Sequence, residues 1–219
     1  MERFVLGHHE IELYNTQKQS SSLVICHYAN DGNDILEKCR QLNCKNFTLA
    51  LIRNCCDEDD MSPYKIDQVQ KFSGRADEYM KILSSSIVPE IEKRLLQKPQ
   101  EYILVGYSLA GLFSIYTMYH TMLFSKIVSC SGSLWYPQFI DYVKENSLNY
   151  KPEKIYFSLG DLEKKTRNKL YQNVEKCTAE IEQMYASLGI KTTLEFNQGG
   201  HFQDINLRIA KGITWVLEE

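Results

Sequence analysis

Between Leu23 and Leu217 the chain alternates short apolar runs with longer stretches whose apolar residues recur every three or four positions. Few architectures accept that pattern. A strand with one wet face alternates apolar and polar residues, whereas a strand covered on both faces reads as a near-continuous apolar run. The runs here are of the second kind: Leu23 to Tyr28 (LVICHY), Phe47 to Arg53 (FTLALIR), Tyr102 to Val105 (YILV), Lys126 to Cys130 (KIVSC), Lys154 to Leu159 (KIYFSL) and Lys191 to Phe196 (KTTLEF). Between them, Tyr79, Ile82, Leu83, Ile87, Ile91 and Leu95 make one long amphipathic helix, closed off by Pro99. Leu170, Val174, Cys177, Ile181, Tyr185 and Leu188 make another, stopped by Gly189. Shorter helices are expected over Asp34 to Leu42, Ser108 to His120 and Ile205 to Leu217. Strands alternating with helices in this way predict an α/β fold, with a mostly parallel central sheet and helices on both faces. Phe4 to Tyr14 adds one or two antiparallel strands at an edge. No repeat and no Pro- or Gly-rich linker interrupts the pattern, so residues 1–219 read as a single domain.

Charge and cysteine usage narrow the class of function. Twenty-five Lys and Arg against 28 Asp and Glu leave a net charge of −3, which argues against a nucleic-acid or anionic-membrane surface. No apolar run approaches the ~18 residues of a membrane span. Met1-Glu2-Arg3-Phe4 leads into mixed polar sequence rather than the apolar core of a signal peptide. The seven cysteines are odd in number and contain no C-x-x-C pair, so reduced thiols in a cytoplasmic protein are expected, most of them buried. Cys55-Cys56, in a polar stretch, is the pair expected to be exposed. Ligand pairs at short spacing are missing, so no metal site is expected, and the chemistry below needs no organic cofactor.

The chemistry concentrates where the central strand meets a helix. Gly106-Tyr107-Ser108-Leu109-Ala110-Gly111 places a serine between small residues two before and two after it, at a strand–helix junction. A serine held in a tight turn there projects as a nucleophile, and the small residues let strand and helix approach. The helix N-terminus carries unpaired N–H groups and a positive dipole end, so the Leu109 N–H is a candidate oxyanion donor. A base must follow in the chain. His8, His9 and His27 precede the serine, and His120 ends the elbow helix pointing away from the strand tips. His201, in Gln198-Gly199-Gly200-His201-Phe202, lies past the last strand with two glycines to let the chain bend back. An acid to orient it should follow the preceding strand, where Gly160-Asp161-Leu162-Glu163 offers two carboxylates that spacing does not separate.

In order along the chain, Val105 to Tyr116, Ser131-Gly132-Ser133-Leu134-Trp135-Tyr136, Gly160 to Glu163 and Gly199-Gly200-His201-Phe202 together resemble the putative esterase family of α/β-hydrolases. That family includes esterase D, enterochelin esterases and feruloyl esterases. The resemblance runs from about Leu23 to the C-terminus. It implies an α/β-hydrolase fold without a large lid domain, and serine-dependent hydrolysis of a carboxylic ester or thioester through an acyl-enzyme. Ser108 matches the family nucleophile and His201 the base. The acid falls at the fourth position of the Gly-x-x-Asp/Glu turn, which is Glu163, with Asp161 as the alternative. The second oxyanion donor would come from the loop after the Leu23 to Tyr28 strand, at Ala29, with Asn30 next to it. The chain departs from the family at Ala110, where Gly is more frequent, at Tyr107, where His often stands, and in its compact Tyr28-Ala29-Asn30-Asp31-Gly32 loop.

Trp135 and Tyr136 follow a strand whose end lies beside the elbow, and with Tyr107 they are the expected substrate pocket. Met61-Ser62-Pro63-Tyr64 is expected as the opposite wall. With no long insertion between the Lys126 and Lys154 strands, the site should be open and shallow, suited to small or extended soluble esters. The expected partner is a small-molecule ester, with neither nucleic acid nor membrane; the aromatic content would permit a homodimer. A catalytically weak scaffold that binds a ligand in the same cleft is the alternative from another class, and acyl transfer to an alcohol would use the same residues.

Overall fold

The computed structural model describes residues 1–16, 20–27, 31–55, 57–66 and 72–218. Its strands are β1 (Glu2–Leu6), β2 (His9–Tyr14), β3 (Ser22–His27), β4 (Thr48–Arg53), β5 (Glu101–Tyr107), β6 (Lys126–Cys130), β7 (Lys154–Gly160) and β8 (Lys191–Asn197). They form one eight-stranded sheet in the order β1-β2-β4-β3-β5-β6-β7-β8. The six strands from β3 onward pair in parallel, while the β1–β2 hairpin joins β4 antiparallel at one edge. The apolar runs thus occupy the positions their composition demands. In β3, Leu23 and Ile25 face one core and Val24 and Cys26 the other.

The helices are α1 (Gly32–Gln41), α2 (Asp57–Asp60), α3 (Ala76–Ile82), α4 (Val88–Glu92), α5 (Leu109–Tyr116), α6 (Phe139–Glu145), α7 (Val174–Ser187) and α8 (Ile205–Leu217). One core packs α3, α4, α5 and α7 against the sheet through Tyr79, Ile91, Phe113 and Ile181; the other packs α1 and α8 through Ile35, Ile209 and Ile213. The long helix expected from Tyr79 to Leu95 is present but not uniform. Residues Leu83–Ile87 form a π turn between α3 and α4, and the Val88 N–H donates to the Leu83 carbonyl five residues back. Pro89 explains it: proline has no N–H to donate and its ring would strike the carbonyl four residues earlier, so the ladder widens there. Four-residue α2 and seven-residue α6 are too short to print a helical period and were not anticipated.

Strand order reverses between β3 and β5, the place where open parallel sheets hold ligands at their carboxyl edge. There β5 turns sharply into α5 through Ser108, at φ 59° and ψ −121°. The turn is fixed by backbone hydrogen bonds from the Ser108 N–H to the Cys130 carbonyl (3.0 Å) and from the Ser133 N–H to the Ser108 carbonyl (2.9 Å). Its entry is as tight: a Cβ on Gly106 would sit 2.0 Å from the Ala110 carbonyl oxygen. We predict that Gly106→Ala destabilises the fold by about 2 kcal/mol or more, because backbone rather than a mobile side chain must move. Urea unfolding against wild type measures this; a midpoint within error of wild type would contradict the geometry.

Candidate active site

Three loops at the carboxyl edge bring the candidate site together. Ser108 follows β5, Glu163 lies three residues past the end of β7, and His201 lies four past the end of β8. His201 Nε2 stands 3.1 Å from Ser108 Oγ, and His201 Nδ1 stands 2.8 Å from Glu163 Oε2. Of the two carboxylates in the acid turn, Glu163 therefore meets the imidazole. Asp161 instead accepts from the Gly199 N–H at 2.8 Å, tethering the loop that carries His201. His120 contacts Tyr142 (2.9 Å), away from this edge.

Glu163 is almost fully buried, its side chain 3 % exposed. Burial by itself would push its carboxyl up, but hydrogen bonds from His201, the Gly160 N–H and Ser131 outweigh this and hold it below the usual carboxylate range. Oε1 accepts from the Gly160 N–H (2.6 Å), Ser131 Oγ (2.7 Å) and Arg208 Nη1 (3.0 Å), leaving Oε2 to the imidazole. Leu109 opens α5, where the first N–H groups lack intrahelical acceptors, and it lines the cavity above Ser108. Ala29 and Asn30 lie outside the described residues.

The cavity measures about 460 Å³ and is lined by Ser108, Leu109, Trp135, Tyr171, Phe72 and Phe202 among others. Trp135 and Tyr171 lie against each other with ring centroids 4.3 Å apart. Phe202 stands edge-on to His201 and is 76 % exposed. Two expected pocket residues are elsewhere. Tyr136 is buried against Tyr64 and Phe72, with its hydroxyl donating to the Tyr64 carbonyl, because the chain turns inward after Trp135. Tyr107, the last residue of β5, points into the core on the opposite side from the cavity, and its hydroxyl donates to the His201 carbonyl (2.5 Å). Burial raises that phenol to about 12, so it stays a donor. The opposite wall is Glu58 and Phe72 rather than residues 61–64: Met61 and Ser62 are fully buried, and Ser62 Oγ pins the segment by donating to Glu58 O and accepting from Gly74 N.

Sequence reasoning missed Tyr171, Phe202, Ser131 and Arg208. The last had a readable signal. In α8, Arg208 falls on the stripe of Ile205, Ile209, Gly212, Ile213 and Val216, a cation where an apolar residue belongs. Among the described residues no group of three His, Cys, Asp or Glu side chains is placed to hold a metal, and no helix is long and apolar enough to cross a membrane. Cys26, Cys39, Cys130 and Cys177 are buried free thiols; Cys55 is half-buried beside His9 and Tyr79 rather than open to solvent, and Cys56 lies outside the described residues.

The reversed strand order, the serine at the β5–α5 turn and the histidine reaching it from beyond β8 define an α/β-hydrolase fold. A model of the family described as "Putative esterase" matches residues 53–203, and the chain belongs to that family. The uncharacterized protein YbbA of Bacillus subtilis (strain 168) is 26 % identical over 126 residues, 56 % of this chain and 50 % of that protein, so the match spans about half of that relative's length. Among solved structures, an IroE-like serine hydrolase from Shewanella oneidensis superposes with a TM-score of 0.73 at 17 % identity, covering 95 % of this chain and 75 % of that one. The siderophore hydrolase EstA from Aspergillus nidulans gives 0.73 at 15 % identity, covering 95 % and 89 %.

Beside the elbow, at the end of β3, lies a second buried titratable group. His27 is fully buried, with Nε2 2.6 Å from the Tyr79 hydroxyl, and burial together with the nearby His9 pushes its pKa down from 6.5 to about 3. Below pH 6.5 the unfolded chain therefore binds a proton that the folded chain refuses. Stability should be full above pH 6.5 and fall toward pH 3, by up to about 1.4 kcal/mol per pH unit from this group. Urea unfolding at pH 7, 6 and 5 should give a shallower decline for His27→Gln than for wild type; equal slopes would remove His27 as the cause.

Proposed function

We propose that this chain is a serine-dependent hydrolase of carboxylic esters or thioesters, working through an acyl-enzyme. The observation that carries this reading is the run of contacts from Ser108 Oγ to His201 Nε2 (3.1 Å) and from His201 Nδ1 to Glu163 Oε2 (2.8 Å), opening on the cavity. Ser108 Oγ attacks the carbonyl carbon as its proton passes to His201 Nε2. Glu163 Oε2 holds Nδ1–H, fixing the tautomer in which Nε2 is the base and stabilising the imidazolium that forms. The oxyanion is held by the Leu109 N–H and by a second N–H from the segment after β3, for which Ala29 is our candidate. Collapse of the intermediate expels the alcohol or thiol, which takes the proton from Nε2. Water then attacks the acyl group by the same route and frees Ser108.

Trp135, Tyr171 and Phe72 give the cavity aromatic walls, and its volume fits a small acyl or aryl group. Two of the similar structures are named siderophore hydrolases, which brings siderophore-type esters within the substrate range to be tested. The free thiols among the described cysteines support a reducing compartment, and we assign the cytoplasm.

Labelling with a fluorophosphonate probe, with the adduct located by mass spectrometry, tests the reading. Wild type should carry the adduct on Ser108, and Ser108→Ala and His201→Ala should not. Hydrolysis of an aryl acetate should fall by about 10³-fold or more in both variants. A folded wild type that takes no adduct would overturn the assignment. Trp135→Ala should raise KM for aryl esters more than for acetate esters of small alcohols, by roughly 10-fold for loss of one aromatic wall. Equal effects on both would take Trp135 out of the substrate pocket.

A further inference from the structure

Resting on the hydrolase reading above, we propose that Arg208 is a positioning residue: its guanidinium joins the acid turn, the histidine loop and the elbow into one rigid unit that delivers His201 to Ser108. The side chain is 0 % exposed. Burying a guanidinium costs several kcal/mol unless its hydrogens are taken up, and a well-packed apolar residue in such a place is often at least as stabilising. The neighbouring stripe positions of α8 are filled in that way, by Ile205, Ile209 and Ile213. Something other than packing calls for a cation here.

Its contacts identify the task. Nη1 donates to Glu163 Oε1 (3.0 Å), Ser131 Oγ (3.0 Å) and Tyr107 Oη (3.2 Å); Nη2 donates to the Gly200 carbonyl (2.9 Å) and, at 3.4 Å, to the Gln198 carbonyl. Each acceptor is itself, or lies within three residues of, a member of the Ser108–His201–Glu163 set, or is Ser131, which donates to Glu163. Two of these bonds act on geometry directly. The bond to Glu163 Oε1, with those from Gly160 and Ser131, stops the carboxylate rotating, so Oε2 stays aimed at Nδ1. The bond to the carbonyl of Gly200 holds the peptide that enters His201, while the Tyr107 hydroxyl holds the carbonyl that leaves it. Meanwhile Arg208 Nε has no acceptor among the described residues, so the side chain is placed for its Nη contacts at the expense of one unsatisfied donor. The backbone makes room for it as well: a Cβ on Gly160 would lie 2.8 Å from Nη2 and 2.2 Å from the Gly199 carbonyl oxygen.

The test compares wild type, Arg208→Met and Arg208→Lys. Its readouts are kcat and KM on p-nitrophenyl acetate, and the downfield proton NMR resonance of the His201–Glu163 hydrogen bond, assigned by its loss in His201→Ala. A misplaced base costs turnover more than binding, so Arg208→Met should lower kcat by about 10²-fold with KM within about threefold. The downfield resonance should broaden or vanish. Lysine restores one charge but cannot bridge Glu163 and Gly200 at once, so Arg208→Lys should recover kcat only in part, to about 10-fold below wild type. Wild-type kcat in either folded variant overturns the proposal, as does a loss confined to KM, or a lower melting temperature with kcat per folded molecule unchanged. If Arg208→Met does not fold, Arg208→Lys decides. An inactive wild type that still shows the resonance overturns the hydrolase reading, and the resonance in Arg208→Met then decides whether the positioning role stands.

Discussion

The close approach of β5 and α5 at Ser108 is the constraint on which the rest of this structure depends. The serine is held at positive φ between a strand and a helix that nearly touch, with Gly106 against the Ala110 carbonyl and Gly111 against Gly132. Such a turn is costly in isolation and persists because its surroundings over-determine it. Here the surroundings are the β6 end and the segment after it, which accept from Ser108 N–H and donate to its carbonyl. The central place of β5 in the sheet and the apolar character of α5 serve to hold one short turn in a conformation that few sequences tolerate. Ala110, where the family more often has glycine, fits this crowding: it is buried and its methyl is accommodated.

A buried polar network completes what the turn begins. Glu163 sits beneath the surface with every oxygen occupied, and Arg208 beneath it balances its charge. A carboxylate in that position would be unstable alone and poorly aimed if merely solvated. Satisfied on Oε1 by three donors, it presents a fixed acceptor to the imidazole. The arrangement spans long sequence separations, joining residues 107, 131, 163, 198, 200 and 208. The chemistry at the surface and the packing beneath it are thus one structure rather than a site placed on a finished scaffold.

The cavity above the serine has a different character. Its aromatic side chains come from separate segments: Phe72 precedes α3, Trp135 follows β6, Tyr171 precedes α7 and Phe202 follows His201. Elements on the carboxyl edge carry these walls, so their identity can vary without disturbing the sheet. Family membership therefore bears more on the turn that holds Ser108 than on the aromatic walls of the cavity.

Much of the fold was legible because apolar composition and period report burial directly. Strands β3 to β8 fall within two residues of the runs read from the sequence, and α8 coincides with its expected span. Ser108 and His201 were legible as candidates because a turn flanked by small residues and a glycine-flanked histidine each have local signatures. Choosing between Asp161 and Glu163 from the residues was not possible, since two residues apart on one turn either could face the imidazole; their opposite directions follow from how the β7 and β8 loops cross. Tyr107 and Tyr136 were misjudged as pocket residues because sequence position fixes which strand end a side chain is near, not the side to which it points. The sequence by itself determined the parallel sheet, the position of the strained serine and the family. Tertiary structure decided which carboxylate meets His201, which aromatics wall the cavity and which groups the Arg208 guanidinium joins, because those contacts link residues that local propensity never compares.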